Sequence, residues 1–282
     1  MRTKNEIVCM MNKKSPPQPP SKPEITRPAF RYFGSKWLYA PWIIENLPPH
    51  TVYVEPFGGG GNVMLRKNPS KLEVYNDLDS GVVNFWQILR NHTDELIRRI
   101  KLTPWSREEY YRAWEVSEDM IEEARRFYVR AWMSFTGEPS CQSGWRKAKS
   151  DKNIKCGTTI LWGSEERLLA VAQRWREVQI EHDDAMKVIQ HYDGPNTVFY
   201  CDPPYPHNTR SSRSSYRCEM GSEQHIELLK LLNTIQGKAL ISTYSNPIYD
   251  KHLPAKRWRR LERTSRTLDP RTNRIELLFI KK

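Results

Sequence analysis

Val52-Tyr53-Val54-Glu55-Pro56-Phe57-Gly58-Gly59-Gly60-Gly61-Asn62-Val63-Met64-Leu65 runs from an apolar, β-branched stretch into consecutive glycines and out into a second apolar stretch. The first part predicts a buried strand and the last a helix start. A strand, a glycine turn and a helix start form the layout in which backbone comes close to a nucleotide-like ligand. A flexible loop is the alternative for a glycine run taken alone. Leu72-Glu73-Val74-Tyr75 predicts the next strand, ending at Asn76-Asp77. An acidic residue roughly 20 positions after the glycines, at the end of the second strand, suits ribose hydroxyls.

A second motif lies far downstream. Thr197-Val198-Phe199-Tyr200-Cys201 reads as a buried strand, and Asp202-Pro203-Pro204-Tyr205 follows it directly. Prolines fix φ and cannot continue a sheet ladder, so the turn is stiff. It can hold a carboxylate and a backbone carbonyl side by side, with a flat ring next to them. That set suits an exocyclic amino group on a planar base. A proline-rich surface turn is the plainer alternative.

The rest of the chain alternates around these motifs. Residues 1–28 contain Ser15-Pro16-Pro17-Gln18-Pro19-Pro20 and read as a disordered, partly polyproline tail. The apolar stripe Trp37, Ala40, Ile43, Ile44, Leu47 predicts a helix ending before Pro48. Residues 104–176 break the alternation with helix-like segments from Ser106, Ser117 and Ser164, each a candidate N-cap. Strand and helix alternation returns at Val178. A helix is expected from Ala185 to His191, another from Ser222 to Gln236, and a strand from Ala239 to Thr243. Arg257 to Arg263 and Arg274 to Ile280 predict a closing hairpin. The expected fold is α/β, a doubly wound sheet formed by 29–103 and 177–282, with a mainly helical domain inserted at 104–176. In such a sheet the ligand lies at the carboxyl ends of the strands. Glu55, Asp77, Asp184 and Asp202 all fall at such ends and can contact a ligand bearing an amino acid and a nucleoside. For the pair Asp183-Asp184, helix N-capping is the competing role.

Composition points the same way. The 282 residues carry a formal net charge of +12, which favours a polyanionic partner. No apolar run approaches the about 18 residues of a membrane span. Met1 to Pro28 shows no apolar signal-peptide core, so a cytoplasmic location is expected. The five cysteines are odd in number and form no C-x-x-C pair, so reduced thiols and no zinc site are expected.

Arg31-Tyr32-Phe33-Gly34-Ser35-Lys36, Glu55-Pro56-Phe57-Gly58-Gly59-Gly60, Asn76-Asp77 and Asp202-Pro203-Pro204-Tyr205 occur in this order. Together they resemble the N6-adenine DNA methyltransferases of the alpha group, to which the bacterial DNA adenine methylase belongs. The resemblance covers roughly residues 29–100 and 178–282. Family members usually show Trp-Ala-Gly-Gly-Lys near the N-terminus; here Tyr32-Phe33-Gly34-Ser35-Lys36 keeps an aromatic and the lysine and loses one glycine. The resemblance implies a Rossmann-like methyltransferase sheet, S-adenosyl-L-methionine as cofactor, double-stranded DNA as partner and no metal. It implies that Tyr32 and Lys36 contact the methionine end of the cofactor, with Lys36 near its carboxylate. It places Phe57, Gly58 and Gly60 along the cofactor turn, Asp77 on the ribose and Asp184 on the cofactor's adenine amino group. The host compartment would be a bacterial cell or a phage-infected one, and a monomer is expected, with a dimer as the alternative.

The chemistry follows from the amino group. Its lone pair is delocalised into the ring, so it is a poor nucleophile. Hydrogen bonds to Asp202 and the Pro203 carbonyl can pull the nitrogen toward tetrahedral geometry, and positioning with electrostatics does most of the work. The base must leave the duplex, with Tyr205 as its stacking face. Candidate DNA contacts are Trp145, Arg146 and Lys147 in the inserted segment and Arg210, Arg213 and Arg217 after the catalytic turn. Two other readings stand beside this one: a same-fold amino-methyltransferase acting on RNA or a protein amide, and a non-catalytic nucleic-acid-binding relative. The first usually carries Asn-Pro-Pro-Tyr, against Asp202 here; intact Glu55, Asp77 and Asp202 argue against the second.

Overall fold

A computed structural model describes residues 25–136, 142–147, 162–206, 217–266 and 273–282. The strands are β1 (Val52–Glu55), β2 (Leu72–Asn76), β3 (Val178–Glu181), β4 (Thr197–Cys201), β5 (Lys238–Tyr244), β6 (Trp258–Arg266) and β7 (Asn273–Lys281). They form one sheet in the order β3-β2-β1-β4-β5-β7-β6. β1 to β5 pair in parallel; β7 runs antiparallel to both β5 and β6. The helices are α1 (Ala40–Glu45), α2 (Asn62–Arg66), α3 (Ser80–Asn91), α4 (Thr93–Leu102), α5 (Arg107–Arg112), α6 (Met120–Met133), α7 (Glu165–Trp175), α8 (Ala185–His191), α9 (Ser222–Thr234) and α10 (Pro247–His252). The strand order reverses between β1 and β4, so the switch point lies between the two strands that end in Glu55 and lead to Asp202.

A parallel sheet covered on both faces needs strands that are apolar throughout, and all five residues of β4 are buried. Successive side chains point to opposite faces. Tyr53, Tyr75, Val198, Tyr200 and Leu240 join one core with α3, α6 and α7. Val54, Val74, Phe199, Cys201 and Ile241 join a second with α8, α9 and α10. The result is a three-layer α/β/α arrangement, the doubly wound fold expected from the alternation.

Segment 104–176 contributes to the first core. Phe127, Tyr128 and Trp132 of α6 and Trp175 of α7 pack there together with Phe85 and Trp86 of α3. Trp86 and Trp175 stack with centroids 3.9 Å apart and planes 16° apart. The helical segment is therefore fused to one face of the sheet through shared aromatic rings.

Some local expectations shift. Helix α1 is shorter than the apolar stripe suggested. Ser106 does cap α5, its hydroxyl accepting from Glu109 N. The cap of α6 is Asp119, which accepts from Ile121 N and Glu122 N, and Ser117 sits one step earlier, on Asp119 N. A carboxylate is a charge-assisted acceptor at a helix N-terminus and outcompetes the nearby hydroxyl. The helix expected from Ser222 does begin there, but Ser222, expected as its cap, is the first residue of α9 and Gly221 is the N-cap.

One buried ion cluster ties the layers together. Glu73 on β2 is 2% exposed and takes Lys67 Nζ at 2.5 Å and Arg174 at 2.5 and 2.8 Å. Arg174 belongs to α7 and also donates to the Met64 carbonyl of α2. Burial pushes the Glu73 carboxyl upward, but Arg174 and Lys67 hold it below its ordinary range. Replacing Glu73 by Ala strands two buried cations, and we expect a loss of about 3–5 kcal/mol in urea unfolding. A loss below about 1 kcal/mol, the range of an exposed ion pair, would contradict this reading.

Candidate active site

The cleft lies over the carboxyl ends of β1, β2 and β4, where the switch point places it. The glycine turn forms its floor. Gly58 N donates to Asn76 O at 2.7 Å, and a Cβ on Gly58 would stand 2.2 Å from the Tyr75 ring. Gly59 has φ +47°, and a Cβ there would also press on Tyr32, 2.8 Å away. Its carbonyl accepts from Tyr75 Oη at 2.8 Å and Trp86 Nε1 at 3.1 Å, and its N–H donates to Asp77 Oδ2 at 2.7 Å. Only glycine meets both the left-handed backbone and the ring contacts.

Glu55 is 2% exposed. Its Oε1 accepts from Tyr53 Oη at 2.7 Å and Met64 N at 2.8 Å, so it joins the end of β1 to α2. Burial pushes its pKa up to about 7. Asp77 is half-buried; its Oδ1 accepts from Asp79 N at 2.9 Å. Desolvation pushes it up to about 6 against the pull of its backbone donors. Asp184 caps α8 through Oδ1, which accepts from Met186 N and Lys187 N, and it also lines the cleft. The capping role foreseen as the alternative is thus occupied, on one oxygen of the carboxylate. Asp183 points away into an exposed pair with Lys187. Asn76 donates to Pro56 O and Asp183 O and accepts from Asp183 N, clamping the ends of β1, β2 and β3 together.

Asp202 follows β4 at the cleft. Lys36 Nζ stands 2.9 Å from Asp202 Oδ1, 3.7 Å from Glu276 Oε1 and donates to Gly34 O at 3.0 Å. The resemblance puts Lys36 toward the methionine end of a cofactor; the structure sets its ammonium against the turn that follows β4. Burial pushes the Asp202 carboxyl up while Lys36 opposes it. Pro203 is buried and Pro204 lines the cleft. Tyr205, expected as an open stacking face, is only 5% exposed. Its hydroxyl donates to Glu276, its ring meets Tyr244 edge-on at 4.7 Å, and Lys36 Nζ lies 4.7 Å from its centroid. Tyr32, Phe57, Gly58 and Gly60 all line the cleft.

The proposed DNA contacts separate. Arg217 lines the same cleft, its guanidinium 3.4 Å from Asp79 Oδ1. Arg210 and Arg213 lie outside the described residues. Trp145 bridges to Ser134 and packs against the first core, with the Arg107 guanidinium 5.0 Å over its ring. Arg146 is close enough to Arg31 that burial and Arg146 together bring the Arg31 guanidinium down to about 10. Lys147 is exposed. Among the described residues no cluster of His, Cys, Asp and Glu could hold a metal ion, and no helix is long and apolar enough to cross a membrane.

The sequence reading missed Glu276. Its signal was a carboxylate inside the apolar run Ile275-Glu276-Leu277-Leu278-Phe279, where charge is costly unless paired.

The family model of D12 class N6 adenine-specific DNA methyltransferases matches residues 32–264. The chain belongs to that family. The Modification methylase LlaI of Lactococcus lactis subsp. lactis is 26% identical over 240 residues, covering 81% of this chain and 38% of that protein. The chain therefore spans well under half the length of this relative. Two solved structures are similar at lower identity. The SAM Dependent Methyltransferase from Agrobacterium tumefaciens has a TM-score of 0.39 and 11% identity, over 87% of this chain and 60% of that one. The rRNA methyltransferase aviRa from Streptomyces viridochromogenes has a TM-score of 0.39 and 14% identity, over 92% and 89%.

The raised carboxyls of Glu55 and Asp77 make stability depend on pH. Each binds its proton more tightly folded than unfolded, so the stability they contribute is full below the unfolded pKa and is lost as pH rises through about 7 for Glu55 and about 6 for Asp77. Glu55→Gln removes the first of these slopes. Between pH 5 and 8 the Gln variant should gain on the parent by roughly 2–3 kcal/mol in denaturant titrations. A difference that does not vary with pH would show that Glu55 is not held protonated by burial.

Proposed function

We propose that the protein transfers a methyl group from S-adenosyl-L-methionine to N6 of an adenine in DNA. The observation that carries this is the opening of Asp202 and the Gly58–Asp77 turn into one cleft, with the reacting carboxylate beside the nucleoside-type floor. The donor set suits the cofactor: a carboxylate at the end of β2 for ribose, glycine backbone without Cβ for close approach, and acidic side chains near a cationic centre. When bound, the cofactor supplies a methyl group on a sulfonium.

The chain's own residues do the rest. Asp202 accepts a hydrogen of the target amino group and the Pro203 carbonyl accepts the other, drawing the nitrogen lone pair out of the ring. Pro203 and Pro204 hold both acceptors at fixed φ, so the geometry is set before the base arrives. After transfer Asp202 can take the surplus proton. A base inside a duplex cannot reach this turn, so the adenine is extruded, and unstacking is compensated by contacts in the cleft. Gly58, Gly60, Phe57 and Tyr32 bind the cofactor, Asp77 its ribose and Asp184 its adenine edge through the carboxylate oxygen not used in capping. Arg146 and Lys147 meet the DNA, together with Arg210 and Arg213; Arg217 closes the cleft mouth.

Ultraviolet crosslinking to labelled S-adenosylmethionine, paired with transfer of the labelled methyl to duplex DNA, tests this directly. The parent protein should capture the cofactor and label adenine. Asp202→Ala should capture the cofactor equally and lose at least about 10²-fold in turnover. An Ala variant with near parental turnover, or a parent that binds DNA without capturing cofactor, would overturn the proposal.

A further inference from the structure

Glu276 lies on β7, beyond the residues 32–264 that match the family model, and the transfer chemistry above leaves it without a task. It is 2% exposed, yet it stands in contact with the two groups that crowd Asp202. The Tyr205 hydroxyl donates to it, and Lys36 Nζ is 3.7 Å from its Oε1.

Lys36 occupies a telling place. Its ammonium stands 2.9 Å from Asp202 Oδ1 while lying 4.7 Å from the Tyr205 ring centroid. A target amino group would bring one of its hydrogens to the same carboxylate. An incoming amino hydrogen competes with Lys36 for Asp202 Oδ1, and Lys36 already lies 3.7 Å from a second carboxylate toward which it can shift. A buried ammonium without a counter-charge is strongly unfavourable, and Glu276 is the carboxylate within reach.

We propose that Glu276 is a positioning residue for the methyl transfer: it anchors Tyr205 by the hydroxyl and receives Lys36 when the target amino group replaces Lys36 on Asp202. The inference rests on the methyltransferase reading. One ammonium between two carboxylates leaves Asp202 charged and accepting in the loaded site. Among the described residues, the titratable groups facing Asp202 are Lys36 from the leading segment, Tyr200 and Cys201 on β4, Tyr205 in the turn, Glu276 on β7 and Tyr249 on α10. Burial pushes the three tyrosines and the thiol upward, so the carboxylate pair and Lys36 set the response near neutrality.

The test measures kcat, KM for DNA, cofactor affinity and the pH profile with labelled S-adenosylmethionine and genomic DNA from a host devoid of adenine methylation. Glu276→Gln keeps the size and an acceptor for Tyr205 but removes the charge. We expect kcat to fall about tenfold or more with unchanged cofactor affinity. The acidic limb of the kcat profile should move to lower pH, because Lys36 then bears on Asp202 alone. Glu276→Asp retains the charge and should regain most of the rate and the parental limb; it carries the test by itself if the Gln variant does not fold. A Gln variant with parental kcat, or Gln and Asp variants that lose rate equally with an unmoved limb, overturns the role of Glu276. A parent protein that labels no DNA refutes the underlying reading instead.

Discussion

The peptide at Gly59 is the constraint on which the cleft depends. Its carbonyl is held by Tyr75 from β2 and Trp86 from α3, and its N–H by Asp77 beyond β2. The Tyr32 ring from the leading segment and, two residues on at Gly61, the Trp175 ring stacked on Trp86 occupy the space a Cβ would need. One left-handed residue thus ties the turn after β1 to β2, α3 and the segment that carries Lys36. A partly buried carbonyl with two donors cannot relax without leaving those donors unpaired, so the floor of the cleft is set by folding.

A second constraint is electrostatic. Carboxylates gather in the cleft and behind it where burial disfavours charge: Glu55, Asp77 and Asp202 line it, Glu276 lies behind Tyr205, and all four are pushed above their ordinary range. Such a cluster opposes folding at neutral pH, and perturbed carboxylates gathered in one cleft are characteristic of functional sites. Glu73 shows the contrast. It is as buried as Glu55 and Glu276 but fully paired to Lys67 and Arg174, and its carboxyl is held low. The same residue type is a structural tie on one side of the sheet and a chemical group at its carboxyl edge. The difference lies in the number of cations each one meets.

Much of this architecture was legible in the chain. The apolar runs at β1, β2 and β4 announce strands because a doubly covered parallel sheet leaves no polar face, and the glycine run announces a turn because side chains cannot fit there. Asp202 and Asp77 were legible as strand-end carboxylates. What was not legible involves pairs distant in sequence. Nothing local to Lys36 says that its partner is Asp202, and nothing local to Tyr205 says that Glu276 takes its hydroxyl and Tyr244 meets its ring. The fusion of α6 and α7 to α3 was hidden likewise, since aromatic spacing marks a buried face without saying what covers it. Arg217 looked like one more cation in a basic loop, and only the fold brings it to Asp79. Asp119 replaced Ser117 as a cap through a difference of acceptor charge that a pattern of cap-type residues does not rank.

The central claim is that the cleft joining Asp202 to the glycine turn serves methyl transfer to adenine in DNA. The most direct measurement is base-modification sequencing of DNA from a methylase-deficient host that expresses the protein, beside the same host expressing an Asp202→Asn variant. The account predicts N6-methyladenine at one recurring sequence context with the parent and none with the variant. Unmodified adenine in both hosts, or a modification that persists with the variant, would contradict it.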